Sequence, residues 1–373
     1  MSCTRWRAEP VRIAIDATSA AVPHRTGIAR YIQSLIEHLK EIDQENEYWV
    51  CYRLSRLKEF RHLYRPAAKN ARVRFFQEPF PPGRGIDVFH GPDARLPRLS
   101  GPRMVATVHD LLVLLSEGFA GEKFRNTKIA RYRDIARRAH RIVCVSESTR
   151  RDFLRFFPEA EPRICVIPEG VDSRFSPRAA PEVSRVRKKY DMGPDYVLYV
   201  GDLSRRKNVV RMIEAFRQAM RAVGGGVQFV LAGKLCLGDE EVVECVRSNR
   251  GDDRIRFLGY VADEDLPALY SGARLFFFTT LYEGFGLPIL EALACGTPVL
   301  TSNVSASAEI AAEVTRKVNP LSPEEMAAAL VDLLGRSDTA ADKAARQEAA
   351  RRYGWRLMAE RMLKEVYLPL LAV

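Results

Sequence analysis

Two glutamates flank a glycine-containing stretch in the second half of the chain, between an apolar run and a later strand-like run. The stretch reads Glu283-Gly284-Phe285-Gly286-Leu287-Pro288-Ile289-Leu290-Glu291. Glycine lets the backbone approach a ligand closely, and proline favours the first turn of a helix. Because the start of a helix after such a loop can bind an anion, the pattern predicts a ligand site. The alternative is a tight turn and a helix with two solvated acids.

The elements around this stretch alternate between strands and helices. In the first half, the strand-like run Val11–Ile15 leads through a loop to Gly27, after which apolar residues recur at helical spacing up to Leu39. A long basic helix is predicted between Glu122 and Ala139. Further strands are predicted at Tyr48–Tyr52, Asp87–His90, Arg103–Val108, Arg141–Val145 and Arg163–Ile167. This alternation is typical of a mostly parallel sheet that is covered on both faces.

A second domain of the same kind is predicted after a charged stretch with three prolines, Val171–Pro194, which we interpret as a linker. Residues 322–370 are expected to be helical apart from two breaks. Strands are predicted at Tyr196–Val200, Val227–Ala232, Ile255–Leu258, Arg274–Thr279 and Pro298–Thr301. A chain of 373 residues with 47% apolar residues is large enough for two hydrophobic cores.

Five motifs resemble those of the retaining glycosyltransferases of family 4, in the same order. The stretch from Glu283 to Glu291 is similar to the E-x7-E signature of that family. The other four are Thr26–Tyr31 (TGIARY), Thr107–Leu111 (TVHDL), Val166–Asp172 (VIPEGVD) and Gly201–Asn208 (GDLSRRKN). The resemblance covers nearly the whole chain. It departs from the family at Glu313–Asn319, which is more polar than the usual strand there.

The resemblance implies the α/β GT-B fold, in which two Rossmann-like domains face each other across a cleft. Residues 1–175 would bind the acceptor and would be rejoined by a C-terminal helix at about 354–373. Residues 176–353 would bind the nucleotide-sugar donor.

The resemblance also assigns roles to single residues. Arg206 and Lys207 would hold the donor diphosphate, since two cations can neutralise a leaving phosphate without a metal. Glu291 would accept the ribose hydroxyls, and Glu283 would lie beside the transferred sugar. The remaining donor-binding residues would be Gly27, Gly284, Phe285, Gly286 and Leu287.

His109 is the candidate active-site histidine. It follows an apolar strand and would lie at the carboxyl end of a parallel sheet, where ligands bind. The alternative for His109 is a structural role, and the alternative for Gly27 is a plain tight turn. The six histidines show no metal-ligand spacing, and Asp263–Asp265 precedes a helix that it is expected to cap. We therefore expect no metal and no other cofactor.

The implied activity is retaining hexosyl transfer from a nucleotide-diphosphate sugar to a glycan or lipid-linked acceptor, in surface polysaccharide or glycolipid synthesis. Mannosyl transfer from a GDP-mannose-type donor is favoured, and UDP-hexose is the alternative. Two other functions stay open, a nucleotide-sugar epimerase of the same fold and a non-catalytic nucleic-acid-binding protein. The chain contains no recognisable nucleic-acid-binding motif, so we expect no nucleic acid partner.

Most of the net charge of +11 lies in the first half of the chain. Basic residues crowd the segment from Arg125 to Arg155, where Phe153, Phe156 and Phe157 accompany them. This asymmetry favours an anionic partner for the first domain. No apolar run is long enough to span a bilayer, and residues 1–10 lack the apolar core of a signal peptide. We expect a cytoplasmic protein with salt-sensitive, peripheral attachment to an anionic membrane surface.

Overall fold

The computed structural model describes residues 10–22, 26–115 and 121–371, so the expectation for the first nine residues lies outside it. The chain divides into two compact units. Unit 1 contains the described residues up to Gly170 and from Gly354 onward, and unit 2 contains Val171–Tyr353. The first boundary therefore precedes the one after residue 175 that we expected. Phe175 explains the difference, because its buried ring packs against Tyr270 of unit 2 with ring centroids 5.9 Å apart.

Unit 1 is built on a parallel sheet with the strand order β3-β2-β1-β4-β5-β6-β7. Its strands are β1 Arg12–Asp16, β2 Glu47–Arg53, β3 Ala71–Phe76, β4 Val88–Gly91, β5 Arg103–Val108, β6 Arg141–Cys144 and β7 Ile164–Val166. The central strands are buried on both faces, as a sheet covered by helices requires. All their carboxyl ends lie at one edge, so the segments that follow β4, β5 and β7 meet there.

The first four helices follow the strands of unit 1. They are α1 Gly27–Ile42, α2 Leu112–Leu115, α3 Glu122–Arg138 and α4 Glu147–Phe156. The side chain of Thr26 caps α1 by accepting a hydrogen bond from the Ala29 amide at 3.2 Å. The apolar residues at helical spacing in α1 are buried, which confirms the periodicity of the sequence.

Unit 2 repeats the architecture with the strand order β10-β9-β8-β11-β12-β13, again all parallel. Its strands are β8 Tyr196–Val200, β9 Gln228–Ala232, β10 Ile255–Gly259, β11 Leu275–Phe278, β12 Val299–Ser302 and β13 Arg316–Val318. Its helices are α5 Ala180–Lys189, α6 Val209–Val223, α7 Glu240–Ser248, α8 Leu266–Gly272, α9 Leu287–Ala294, α10 Pro323–Gly335 and α11 Ala340–Arg351. The predicted fold class, α/β with two Rossmann-like sheets, is confirmed.

Two local predictions in unit 2 are wrong. The stretch interpreted as a linker contains α5, because Pro181 occupies the first turn, where a missing N–H costs no helical hydrogen bond. Asp265 stands at the start of α8, but its side chain does not cap the helix. Its carboxylate is buried and accepts hydrogen bonds from Arg185, Lys189 and Tyr190 instead.

The C-terminal segment returns to unit 1. It contains α12 Trp355–Arg361 and continues through a π-helical turn, Met362–Tyr367, and a short 3-10 turn. Trp355 lies edge-on to Tyr31 of α1, with ring centroids 6.2 Å apart. The Tyr367 hydroxyl lies 2.7 Å from Nδ1 of His90, deep in the core. Among the described residues, no helix is both long and apolar enough to cross a membrane.

Candidate active site

The loop after β11 holds Glu283 in a fixed backbone position. The Glu283 amide donates to the Ser305 hydroxyl at 3.0 Å, and the Glu283 carbonyl accepts from the Ala306 amide at 3.3 Å. A second loop, between β8 and α6, lies directly beside it. The amide of Leu281 donates to the carbonyl of Arg206 at 3.0 Å, so these two loops are joined through their backbones.

The two loops bring three of the predicted residues into contact. Nζ of Lys207 donates to Oε1 of Glu283 at 2.8 Å, and Nη1 of Arg206 donates to the same oxygen at 3.1 Å. Lys207 and Glu283 are buried, being 8% and 9% exposed. Arg206 also donates to the carbonyl of Tyr282 at 2.9 Å. Two cations thus share one carboxylate oxygen, and the negative charge of Asp202 also acts on Lys207.

The electrostatics of the cluster follow from burial and proximity. Burial, aided by the charge of Arg206, lowers the pKa of Lys207 despite the opposing effect of Glu283. Burial alone would raise the pKa of Glu283, but the charges and hydrogen bonds of Lys207 and Arg206 outweigh it and lower that pKa. The carboxylate is therefore ionised at neutral pH, as a partner of two cations should be.

Asn208 sets the geometry of the basic turn. Its backbone is left-handed, with φ of 62°, a conformation that asparagine adopts more readily than most residues. Its buried amide donates to the carbonyls of Thr279 and Pro320 at 2.9 and 2.7 Å. These bonds fix the end of the 3-10 turn Arg205–Lys207 against the end of β11. Asn208 was not among the predicted site residues, although its position between a basic turn and a helix start was visible in the sequence.

The other predicted donor-binding residues of unit 2 lie along the continuous loop and helix that begin at Glu283. Gly286 has φ of +128°, which strongly favours glycine, and a side chain there would also crowd Ile289 at 3.2 Å. Phe285 is buried, and its ring lies 6.1 Å from that of Tyr353. Helix α9 then begins at Leu287. Glu291 is buried within this helix, and its Oε2 accepts a hydrogen bond from the Tyr270 hydroxyl at 3.0 Å.

His109 of unit 1 directly follows β5, as predicted, but both of its ring nitrogens already have protein partners. Nε2 lies 2.8 Å from the carbonyl oxygen of Pro92, and Nδ1 lies 2.8 Å from Oε1 of Glu169. A carbonyl can only accept, so Nε2 must carry a proton, and an ionised carboxylate requires a second proton on Nδ1. A ring hydrogen bond to a sugar would therefore have to replace one of these bonds.

The pKa of His109 agrees with this geometry. Burial opposes the charged ring, but the hydrogen bond and charge of Glu169 outweigh burial and raise the pKa of His109 above its ordinary value. The Pro92 carbonyl and the charge of Asp93 act in the same direction. Glu169 was not predicted as a site residue. It lies in the VIPEGVD motif, and a buried acid after a strand was the available signal.

Gly27 is the first residue of α1. Apart from Gly27, its chain neighbours and the adjoining backbone of α1, no heavy atom of the described residues lies within 4 Å of the position that a Cβ would occupy there. Packing against the described residues therefore gives no reason for glycine at this position.

Two family models together match most of the chain. Residues 25–175 match Glycosyltransferase Family 4, and residues 182–352 match Glycosyl transferases group 1. O-antigen chain mannosyltransferase B of Escherichia coli is 32% identical over 250 residues, covering 66% of this chain and 65% of the relative. The serotype-specific mannosyltransferase WbdA of Escherichia coli is 29% identical over 58% of this chain and 27% of that protein. The chain thus spans less than two thirds of either relative.

Solved structures share the architecture at low sequence identity. The sucrose-phosphate synthase of Thermosynechococcus elongatus superposes with a TM-score of 0.74 at 20% identity, over 97% of this chain and 99% of that one. HepE of Anabaena, in complex with UDP and glucose, superposes with a TM-score of 0.71 at 18% identity, over 95% and 99%. These similarities concern the fold.

Proposed function

Because the chain belongs to family 4 of the glycosyltransferases, we propose that it is a retaining hexosyltransferase. It transfers a hexosyl group from a nucleoside-diphosphate sugar to a hydroxyl of a glycan or lipid-linked acceptor, in surface polysaccharide or glycolipid synthesis. The observation that carries the proposal is the contact of Arg206 and Lys207 with Glu283, at the point where the basic turn meets the glycine loop.

The donor diphosphate binds to Arg206 and Lys207 in this proposal. Charge-assisted hydrogen bonds to phosphate are about twice as strong as neutral ones, and the two cations offset the charge that develops on the leaving phosphate. No metal is needed for that task. The backbone amides of Phe285 and Gly286 face the sugar hydroxyls or the phosphate, and Glu291 accepts the ribose hydroxyls.

Glu283 and the leaving phosphate serve the sugar end of the reaction. The carboxylate of Glu283 accepts hydrogen bonds from sugar hydroxyls and so orients the ring. Transfer occurs on the same face of the sugar, with the leaving phosphate drawing the proton from the acceptor hydroxyl. His109 contributes a fixed, charged ring at the sheet edge of unit 1.

A mannosyl donor is the favoured substrate, and GDP-mannose is the first candidate. The support comes from the relatives named above, which are described as O-antigen and serotype-specific mannosyltransferases. UDP-hexose is the second candidate.

The test is a transfer assay with a panel of GDP- and UDP-hexoses and mannose-containing glycan or lipid-linked acceptors, with NMR detection of the anomeric linkage. We expect one donor to give an α-linked product with retention, and the rate to persist in excess EDTA. Loss of turnover in EDTA that magnesium or manganese restores would contradict the metal-free mechanism. Conversion of the donor to an epimer without acceptor would identify an epimerase. Salt-sensitive nucleic acid binding without transfer would identify a non-catalytic nucleic-acid-binding protein.

We further infer that unit 1 attaches to an anionic membrane surface. Several of the basic residues behind this prediction have protein partners. Arg138 pairs with Asp134, and Arg150 pairs with Glu147. The aromatic part of the prediction is wrong for Phe153 and Phe157, which are buried, and Phe156 is 37% exposed. The exposed basic residues of the segment from Arg125 to Arg155 are Arg133, Arg137, Arg151 and Arg155.

Vesicle co-sedimentation tests this attachment. Each basic side chain near an anionic surface contributes about 1 kcal/mol, and Arg133 and Arg137 lie one helical turn apart on α3. We expect R133E/R137E to lose most binding to phosphatidylserine vesicles at low salt. The control is R351E/R352E, which reverses two exposed charges in unit 2. Equal loss in both variants, or binding to neutral lipid, would contradict attachment through unit 1.

A further inference from the structure

The carboxylate of Glu283 already accepts hydrogen bonds from Arg206 and Lys207, the two cations to which the proposed function assigns the donor diphosphate. A single oxygen, Oε1, accepts from Lys207 at 2.8 Å and from Arg206 at 3.1 Å. Phosphate and carboxylate oxygens are recognised by the same charge-assisted donors at the same distances. The carboxylate oxygen therefore has the contacts that a phosphate oxygen of the ligand would need.

Burial strengthens the competition between the Glu283 carboxylate and a phosphate group for these two cations. Lys207 and Glu283 are both about nine-tenths buried, where interactions between charges are much stronger than in water. A diphosphate that reached the two cations while Glu283 kept its contacts would bring a second set of negative charges against the carboxylate. Such a like-charge contact is unfavourable, so the carboxylate and the diphosphate compete for the same donors.

We propose that Glu283 is an internal competitor of the donor diphosphate, and that donor binding displaces its carboxylate from Arg206, Lys207 or both. The displaced carboxylate then accepts hydrogen bonds from the hydroxyls of the sugar. The proposal rests on the proposed function, because it takes Arg206 and Lys207 as the ligands of the diphosphate.

The surrounding contacts permit this exchange without a rearrangement of the loops. The backbone of Glu283 stays fixed through Ser305 and Ala306, so rotation of the side chain alone moves the carboxylate. Arg206 keeps its bond to the carbonyl of Tyr282 when Glu283 leaves. The amide of Asn208 anchors the turn that carries both cations. The free protein thus holds the donor cations in place and their charge partly neutralised.

The second glutamate of the motif provides a matched control. Glu291 is also buried, and its Oε2 accepts a hydrogen bond from the uncharged Tyr270 hydroxyl. In the proposed function Glu291 binds ribose and does not compete for the diphosphate. The same substitution, glutamate to glutamine, should therefore change nucleotide affinity in opposite directions at the two positions.

Titration calorimetry of wild type, E283Q and E291Q with pyrophosphate, GDP and UDP tests the exchange. We expect E283Q to bind pyrophosphate and the preferred nucleotide about tenfold more tightly than wild type, since the glutamine oxygen still accepts hydrogen bonds but lacks the negative charge that competes with the diphosphate. E291Q should bind pyrophosphate like wild type and the nucleotide more weakly. In transfer assays E283Q should combine a lower KM for the donor with a much lower kcat.

The outcomes separate this inference from the proposed function. If wild type binds the ligands and E283Q binds them equally or more weakly, the competition is refuted while the donor site stands. If neither protein binds pyrophosphate or any nucleotide, the donor-site assignment fails and the competition with it. Should E283Q fail to fold, Glu283→Asp keeps the charge but shortens the side chain. It should also tighten pyrophosphate binding, and unchanged or weaker binding would refute the competition.

Discussion

Each unit of the molecule places a largely buried pair of a cation and a carboxylate at the carboxyl end of its parallel sheet. In unit 1 the pair is His109 and Glu169, and in unit 2 it is Lys207 and Glu283, with 2.8 Å between the bonded atoms in both. The two pairs differ in how completely the cation is bound. Both N–H groups of the His109 ring point at protein acceptors, whereas Lys207 shares its single carboxylate oxygen with Arg206.

The difference shows that the same sheet edge can carry a stabilising pair in one unit and a ligand-binding pair in the other. The His109 pair ties the segments after β4, β5 and β7 together through Pro92 and Glu169, and breaking it would leave a buried charge without a partner. The Glu283 pair holds two cations with one anion, so an incoming anion can replace the carboxylate without leaving a buried cation unpaired. We therefore expect perturbation of the first pair to affect stability and perturbation of the second to affect ligand binding.

Removing Glu169 should have the largest effect on stability. Glu169→Ala leaves the largely buried ring of His109 without its carboxylate, and loss of one partner of a buried ion pair costs about 3–5 kcal/mol. Tryptophan fluorescence during urea unfolding measures it, because Trp49 and Trp355 are buried in unit 1 and unit 2 contains no tryptophan. Glu161→Gln, an exposed substitution in the same unit, is the control. Equal urea midpoints for wild type and Glu169→Ala would contradict a stabilising pair.

Removing Lys207 or Arg206 should weaken nucleoside diphosphate binding more than it destabilises the fold. Lys207→Ala or Arg206→Ala should each weaken nucleoside diphosphate binding by about 1.5–3 kcal/mol, the range for a hydrogen bond to a charged group. The fold of unit 2 should survive, since Glu283 keeps the other cation in each single variant. Arg205→Ala is the matched control, because this exposed arginine lies in the same turn. Equal nucleotide affinity in wild type and the double variant would refute the assignment.

The pH dependence of stability should distinguish the pairs further. The pKa of His109 is raised in the folded protein, so its contribution is complete below the ordinary value of about 6.5 and is lost as pH rises through the folded pKa. The destabilisation by Glu169→Gln should therefore be larger at about pH 6 than at about pH 9. Urea midpoints followed by fluorescence at both pH values measure it. A destabilisation that is the same at both would show that His109 does not change its charge in this range.

Much of the fold and the identity of the donor-binding segments could be predicted from the sequence, because they depend on local patterns. Apolar periodicity located α1, and the glycine-containing stretch located the loop before α9. The edge strand β3 was missed, since the exposed Arg72 and the half-buried Arg74 interrupt its apolar pattern. The polar stretch before Asn319 still forms β13, an edge strand that pairs with β12 and buries Val318.

The partners of the site residues could not be predicted, because they come from distant parts of the chain. Glu169 lies 60 residues from His109, and Glu283 lies 76 residues from Lys207. Apolar periodicity predicts which strand a site residue follows. It does not predict which other loop at the same edge of the sheet lies beside that residue. Asp265 shows the same limit, since its cap position was visible and its pairing with Arg185 of α5 was not.

The smallest stability effect is expected for substitution of Gly27. Because stability should hardly change there, a change in enzyme kinetics would indicate a role of Gly27 in function. Gly27→Ala should leave the urea midpoint of unit 1 unchanged or raise it slightly, because the described structure leaves the Cβ position open and alanine restricts the unfolded chain. Gly170→Ala is the contrasting variant, since a Cβ there would lie 2.2 Å from the amide nitrogen of Trp355 and should destabilise the unit. If a ligand approaches the start of α1 as the resemblance implies, Gly27→Ala should raise the KM for donor or acceptor at unchanged stability. Unchanged kinetics would mean that the glycine serves only the turn before the helix.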